Sequence, residues 1–249
     1  MVLPTPNMTS DFLKLCQLGD IKNLKTLLFP PLEDIGSDEE TEAPEDREPA
    51  VDVNMVDINM MPALCLAARG GHDAVLNLLI DANADLGQPC HGGMRALHHA
   101  CNTINEGSIR TLVNAGADVN IKDDNGNTPL FWCASRGVLA CANIVLAANA
   151  DHKAVNNDGS TLLHRSAANG HVMMCKFWVT KKGLDINAKD SRGDTPLHLA
   201  SRCGIGPTIA VLVECGADKS IQNNLGKTPV ELANGRPGLL KAMGEPVSD

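Results

Sequence analysis

The chain has 249 residues, 43% of them apolar, with only four Phe, two Trp and no Tyr. That is ample material for a sizeable core but an aromatic-poor one, as expected of closely stacked small helices rather than of a globular enzyme. The formal net charge of −9 belongs mostly to one stretch: removing the nine acids and one base (Arg47) between Pro30 and Ala50 takes it from −9 to −1. A near-neutral body with no basic stripe excludes a nucleic-acid-binding surface.

The N-terminal segment reads as a helix pair from Asp11 to Phe29, with Ile21, Leu24 and Leu28 on its second stripe. Residues 30–50 follow, rich in acid and proline (Pro30, Pro31, Pro44, Pro49), and are expected to be a disordered acidic insertion. Within it, Ser37-Asp38-Glu39-Glu40 matches an acidophilic, casein-kinase-like modification site, so Ser37 is a candidate for phosphorylation. Val51-Asp52-Val53-Asn54 then resumes the interrupted unit.

From there the chain repeats. Leu64, Leu97, Leu130, Leu163, Leu197 and Val230 recur at steps of 33, 33, 33, 34 and 33 residues, each four residues after Met60 or one of Gly93, Gly126, Gly159, Gly193 and Gly226. A fixed period of this length means small supersecondary units that bury a core only by stacking. The unit at Asp190 shows the plan. Thr195 caps a helix that Pro196 begins, Gly204 ends it, and a second helix opens at Pro207 with Ile209, Leu212 and Val213 on one stripe. Gly216 is a left-handed stop. The same stop position holds Asn83, Gly116, Asn149 and Gly183 in the other units, the two residue types that best tolerate positive φ. The single 34-residue step predicts a longer connection near Lys182-Gly183.

The segments Gly126-Asn127-Thr128-Pro129-Leu130, Gly193-Asp194-Thr195-Pro196-Leu197-His198, Gly226-Lys227-Thr228-Pro229 and Gly116-Ala117-Asp118-Val119-Asn120 resemble the ankyrin repeat. The resemblance implies an all-α ankyrin-repeat solenoid of helix-turn-helix units joined by short β-hairpin connections. About seven units are expected, near 10–54, 55–87, 88–120, 121–153, 154–187, 188–220 and 221–244, forming one domain over 10–244 between frayed tails at 1–9 and 245–249. A narrower resemblance, through Leu163-His164-Arg165-Ser166-Ala167-Ala168-Asn169-Gly170 and the closing Lys227-Thr228-Pro229-Val230 to Leu239-Leu240-Lys241, is to gankyrin-like proteasome-assembly chaperones.

Family geometry implies a non-catalytic adaptor or scaffold that binds other proteins through a concave face. On the positions that match, this face holds Met61, Arg69, Met94, Asn127, Trp132, Arg136, Asn169, Arg192, Asp194, Arg202 and Arg236. A regulatory ankyrin component of an enzyme complex is the alternative from another class. Asn120, with Leu112 eight residues before it and Asp118-Val119 adjacent, matches the hairpin context for asparagine hydroxylation in this family.

Chemistry-bearing clusters take structural roles. Cys90, His91, His98, His99 and Cys101 crowd one unit without the spacing of a metal framework, and His98, His164 and His198 occupy the motif position that ties adjacent hairpins. No metal, cofactor or catalytic residue is expected. Nine cysteines without a CxxC pair, together with no signal-like start and no apolar run of membrane length, point to reduced thiols in a cytoplasmic or nuclear protein, without membrane or nucleic-acid partners and monomeric by itself.

Overall fold

The computed structural model describes residues 6–29, 50–233 and 235–246. Residues 1–5 and 247–249 of the tails, Ser37 and all but the last residue of the acidic insertion lie outside the described residues, whereas 6–9, expected as part of a frayed tail, open the first helix. Among those described the fold is all-α, with one isolated antiparallel bridge, Val56 to Pro62. Two compact units divide the chain, Met1–Asp118 and Val119–Asp249.

The first unit holds α1 (Pro6–Leu18), α2 (Ile21–Leu28), α3 (Ala63–Gly70), α4 (Asp73–Asp81), a single 3-10 turn at His91–Gly93, α5 (Ala96–Thr103) and α6 (Glu106–Asn114). Odd helices stack on odd and even on even: α1 on α3 on α5, α2 on α4 on α6. Close stacking is possible because α3 presents only small or flexible side chains inward, all six from Ala63 to Ala68 being buried. Leu24 and Leu28 are buried as expected, whereas Ile21 is half-buried. The Ala50 N–H donates to the Leu28 carbonyl at 2.8 Å, so the described chain resumes at the point where α2 ended.

The second unit holds α7 (Pro129–Arg136), α8 (Leu139–Ala147), α9 (Leu162–Ala168), α10 (Val172–Thr180), α11 (Pro196–Cys203), α12 (Gly206–Glu214), α13 (Pro229–Leu232) and α14 (Pro237–Ala242). Here α7, α9, α11 and α13 stack in order, as do α10, α12 and α14. Thr161, Thr195 and Thr228 each cap a first helix in a reciprocal capping box. In α12 the buried stripe is Thr208, Ile209, Val211 and Leu212, so Val211 takes the inward place expected of Val213, which is half-buried. Trp178 is wholly buried and donates from Nε1 to the Ser166 hydroxyl at 3.0 Å, with Phe177 edge-on against it, ring centroids 5.0 Å apart. Trp178 thus fills the core, with Phe177 half-buried beside it.

All five stop residues adopt the left-handed conformation: Asn83 at φ 61°, Gly116 at 89°, Asn149 at 65°, Gly183 at 64° and Gly216 at 93°. The extra residue of the fourth step is visible as a wider closure after α10. The Leu184 N–H bonds to Trp178, six residues back, where Ala84, Ala117, Ala150 and Ala217 each bond five residues back.

Candidate functional site

The hairpins that lie between second and first helices are built on one repeated device. An Asp or Asn at the turn base turns its Oδ1 onto the backbone N–H groups two and four residues ahead. Asp57 holds Asn59 and Met61 (both 2.8 Å), Asp123 holds Asn125 and Asn127 (both 2.9 Å), and Asn156 holds Asp158 (3.1 Å) and Ser160 (2.9 Å). Asp190 holds Arg192 and Asp194 (both 2.9 Å), and Asn223 holds Leu225 (3.0 Å) and Lys227 (3.1 Å). Short Asx side chains suit this work because they reach their own following backbone. The sequence reading passed over these positions, although their 33-residue spacing was available as a signal.

The motif histidines lock each hairpin to the next. His164 Nδ1 accepts from the Thr161 N–H (3.2 Å) and faces the Thr161 hydroxyl (2.9 Å); its Nε2 donates to the Asp194 carbonyl at 3.0 Å. His198 repeats this with Thr195 and the Lys227 carbonyl, again at 3.0 Å. Accepting a backbone N–H at Nδ1 requires the Nε2–H tautomer. Burial first, only partly offset by these backbone bonds, holds both rings below the ordinary imidazole value of 6.5. His98 is equally buried, its Nδ1 accepting from the Arg95 N–H at 3.1 Å.

With the turn amides engaged inside the hairpins, the second unit leaves an open cleft of about 510 Å³ bordered by Arg192, Asp194, Arg202, Asn223, Asn224, Leu225 and Leu232. It gathers three of the expected binding residues. Arg192 is exposed and Leu225 is 83% exposed. Asp194 is wholly buried and works inward: Oδ1 accepts from Asn223 Nδ2 at 2.7 Å and Oδ2 from the Arg202 guanidinium. Burial alone would raise this carboxyl, but the Arg202 and Asn223 hydrogen bonds outweigh it and hold the carboxyl below 3.8. Gly193 fits here because its φ is 74° and a Cβ would stand 2.8 Å from the Asn224 backbone nitrogen.

The other expected residues fall in several places. Asn127 is buried, its amide donating to Asp123 Oδ2 (3.2 Å) and accepting from Asn156 (3.2 Å) and Arg165 (3.4 Å). Neither Asn127 nor Asp194 is presented outward, because each side chain is taken up by hydrogen-bond partners, Asn127 by Asp123 and Asn156 and Asp194 by Asn223 and Arg202. Trp132 is half-buried and donates to Asp123 Oδ2 at 3.2 Å. Met61 and Met94 are half-buried in hairpins; Arg69 and Arg136 are exposed at the ends of α3 and α7. Asn169 is exposed and donates to the Ser135 carbonyl (3.2 Å) and hydroxyl (3.1 Å). Arg236 departs from the expected helix-end position. It is the residue before α14, its guanidinium donating to the Leu232 carbonyl and, at 3.5 Å, to the Arg202 carbonyl. Asn120 is exposed and its Oδ1 accepts the Asp151 N–H at 2.7 Å, a link repeated from Asn54 to Asp85 (2.8 Å) and Asn187 to Asp218 (2.9 Å). Exposed apolar tips at Ile58 (98%) and Met60 (60%) had no signal in the repeat pattern.

Among the described residues, no group of three or more His, Cys, Asp or Glu side chains is placed to hold a metal ion, and no helix is long and apolar enough to cross a membrane.

The family described as ankyrin repeats (three copies) matches residues 14–123, 104–190 and 130–224. The chain belongs to the ankyrin-repeat family. It is 36% identical over 115 residues to a transient receptor potential cation channel subfamily A member 1 homolog of Caenorhabditis elegans, covering 46% of this chain and 10% of that protein. It is 30% identical over 194 residues to human ankyrin repeat and SOCS box protein 16, covering 72% of this chain and 42% of that protein. The chain thus spans less than half the length of these relatives. The crystal structure of the human ASB11 ankyrin repeat domain superposes with a TM-score of 0.78 at 24% identity, over 96% of both chains, which establishes the shared fold. Ankyrin repeats are, in general, protein–protein interaction modules.

Proposed function

We propose that the chain is a non-catalytic adaptor or scaffold of the cytoplasm or nucleus that seats partner proteins on its hairpin tips and first helices. The observation that carries this reading is the division of labour within each hairpin. Where an Asx residue stands at the base it takes the backbone amides inward, and the tip side chains stay exposed, Asn224 also tying its hairpin to the one before by donating to the Ser191 carbonyl at 3.0 Å. At the cleft of the second unit those side chains are Arg192, Asn224 and Leu225, a cation, an amide and an apolar group side by side. Arginine beside an apolar anchor is a favoured composition for a recognition centre.

The test is affinity purification with mass spectrometry, comparing wild type, a deletion of residues 30–50 and charge reversals at Arg136 and Arg192. The structure makes Arg192, rather than Arg202, the probe that leaves stability alone, because an acid at position 202 would face the buried Asp194. Loss of specific partners in Arg192→Glu, with an unchanged melting curve, supports the reading. Retention of every partner in both reversals and in Leu225→Asp overturns it.

A further inference from the structure

The Asx device of the hairpins has one exception. Stepping through the turn bases gives Asp57, Cys90, Asp123, Asn156, Asp190 and Asn223. In the second hairpin of this series a thiol occupies the place where the others hold a carboxylate or an amide. Its surroundings have changed with it. Cys90 Sγ lies 3.1 Å from His99 Nε2, both side chains being buried. One repeat later, at the same two positions, the Trp132 N–H donates to the Asp123 carboxylate. His99 therefore stands where a ring N–H serves an anion, and Cys90 stands where that anion sits.

A second cysteine meets this pair. Cys65 occupies the motif position held by His98, His164 and His198 in later repeats. In this fold the side chain at that position reaches into the following hairpin, as His164 reaches Asp194 and His198 reaches Lys227. From Cys65 the following hairpin is the one that begins at Cys90, and the two thiols stand near enough to shift each other's ionisation in opposite directions. The Cys65 thiol first, and the His99 hydrogen bond and charge after it, outweigh burial and lower the Cys90 thiol below the ordinary 9.0. Cys65 moves the opposite way, raised by its interaction with Cys90 and by burial against the weaker pull of Arg95 and Arg69. The remaining polar neighbour of Cys90 is the His91 carbonyl at 3.4 Å, which accepts from the neutral thiol.

We propose that Cys65 and Cys90 form a dithiol site oxidised by hydrogen peroxide, in which the His99-paired Cys90 sulfur attacks and Cys65 resolves. In the first step the Cys90 thiolate attacks one peroxide oxygen, a sulfur–oxygen bond forms and the oxygen–oxygen bond breaks. The departing hydroxide takes the proton shared by Cys90 and His99 and leaves as water. In the second step the Cys65 sulfur attacks the Cys90 sulfenic acid, the sulfur–oxygen bond breaks, and hydroxide leaves with the Cys65 proton as a second water. Two thiols lose two electrons and one peroxide gains them. The product disulfide staples α3 to the hairpin that precedes α5.

The experiment treats the reduced full-length chain with hydrogen peroxide, blocks free thiols with iodoacetamide and maps peptides without reduction. The expected result is a Cys65–Cys90 cross-linked peptide. In Cys65→Ser, where no resolving thiol remains, dimedone is expected to label Cys90. The wild-type rate of cross-linking should inflect with pH well below the ordinary thiol value. His99→Gln should move that inflection upward and slow the reaction near pH 6 by roughly tenfold, the loss of thiolate fraction outweighing the gain in nucleophilicity. Full alkylation of Cys90 in the wild-type protein, with oxidation confined to the exposed Cys203, would overturn the proposal. That outcome requires no variant to fold.

Discussion

The hairpins that begin at Asp123 and Asp190 have the same backbone turn and opposite interiors. Four residues beyond the base, one places Asn127 and the other Asp194, and both side chains are buried. An amide can donate as well as accept, so Asn127 turns back to its own Asp123 and also receives Asn156 and Arg165 at 3.2–3.4 Å. A carboxylate can only accept, so Asp194 draws in Asn223 at 2.7 Å and the Arg202 guanidinium. The helix that follows differs in step. Behind Asp194, Thr195 pairs with His198; behind Asn127, Phe131 replaces the histidine and leaves the buried Thr128 hydroxyl without a partner. One residue type at the fourth turn position thus decides whether the buried side chain turns back to its own base or recruits the next base and an arginine from the helix end.

Breaking the charged version should have the largest effect. Asp194→Ala removes the acceptor of two charge-assisted bonds and strands the Asn223 amide, at a cost of about 2–3 kcal/mol read as a shift in the urea midpoint. Asp194→Asn, which recreates the Asn127 arrangement, should cost about 1 kcal/mol. If the two variants are equally destabilised, the contrast between the hairpins is not one of charge.

The histidine difference comes next. His198→Phe copies the α7 repeat, removes the ring partner of the Thr195 N–H and hydroxyl and one of the two donors to the Lys227 carbonyl, and should cost about 1–3 kcal/mol. The reverse exchange, Phe131→His, gives Thr128 a partner against the loss of a buried ring, so its thermal unfolding should shift less than that of His198→Phe. Equal losses would show that ring volume, not hydrogen bonding, sets the cost.

The pH dependence sharpens the same point with a smaller effect. His164 and His198 are held below 6.5 in the fold, so the unfolded chain takes up protons first as pH falls. Their contribution is complete above 6.5 and is lost as pH drops from there through the folded values. Calorimetric melting temperatures should fall between neutral and mildly acidic pH, and by less in His198→Phe. Asp194, held below 3.8, adds a further loss only under more acidic conditions. The smallest effect on stability belongs to Arg192→Glu, within about 0.5 kcal/mol, while its effect on partner capture tests the recognition reading.

Much of this molecule was legible before any coordinates. The period located the first helix of every unit from α3 onward, and the exchange of Gly for Asn at positions 83 and 149 gave the left-handed stops away, because positive φ is a local requirement that only a few residue types meet. The 34-residue step pointed to the longer closure after α10. The candidate recognition residues were harder to read. Asn127 and Asp194 look like polar loop residues in the sequence, and Arg202 and Arg236 look like equivalent helix-end cations. Which way a turn residue points depends on the hydrogen-bond partner it finds a repeat away, as Asp194 finds Asn223 at a separation of 29 residues.

The sequence by itself determined the family, the repeat length, the helix caps and the stops, since each follows from short-range sterics and a fixed hydrophobic period. Tertiary structure decided which polar side chains are consumed inside and which remain at the hairpin tips. It also brought Cys65 to Cys90 and Cys90 to His99. Those outcomes depend on the stacking of one repeat against the next, which sets residues about a repeat apart within bonding distance and gives the same residue type a different environment in each layer.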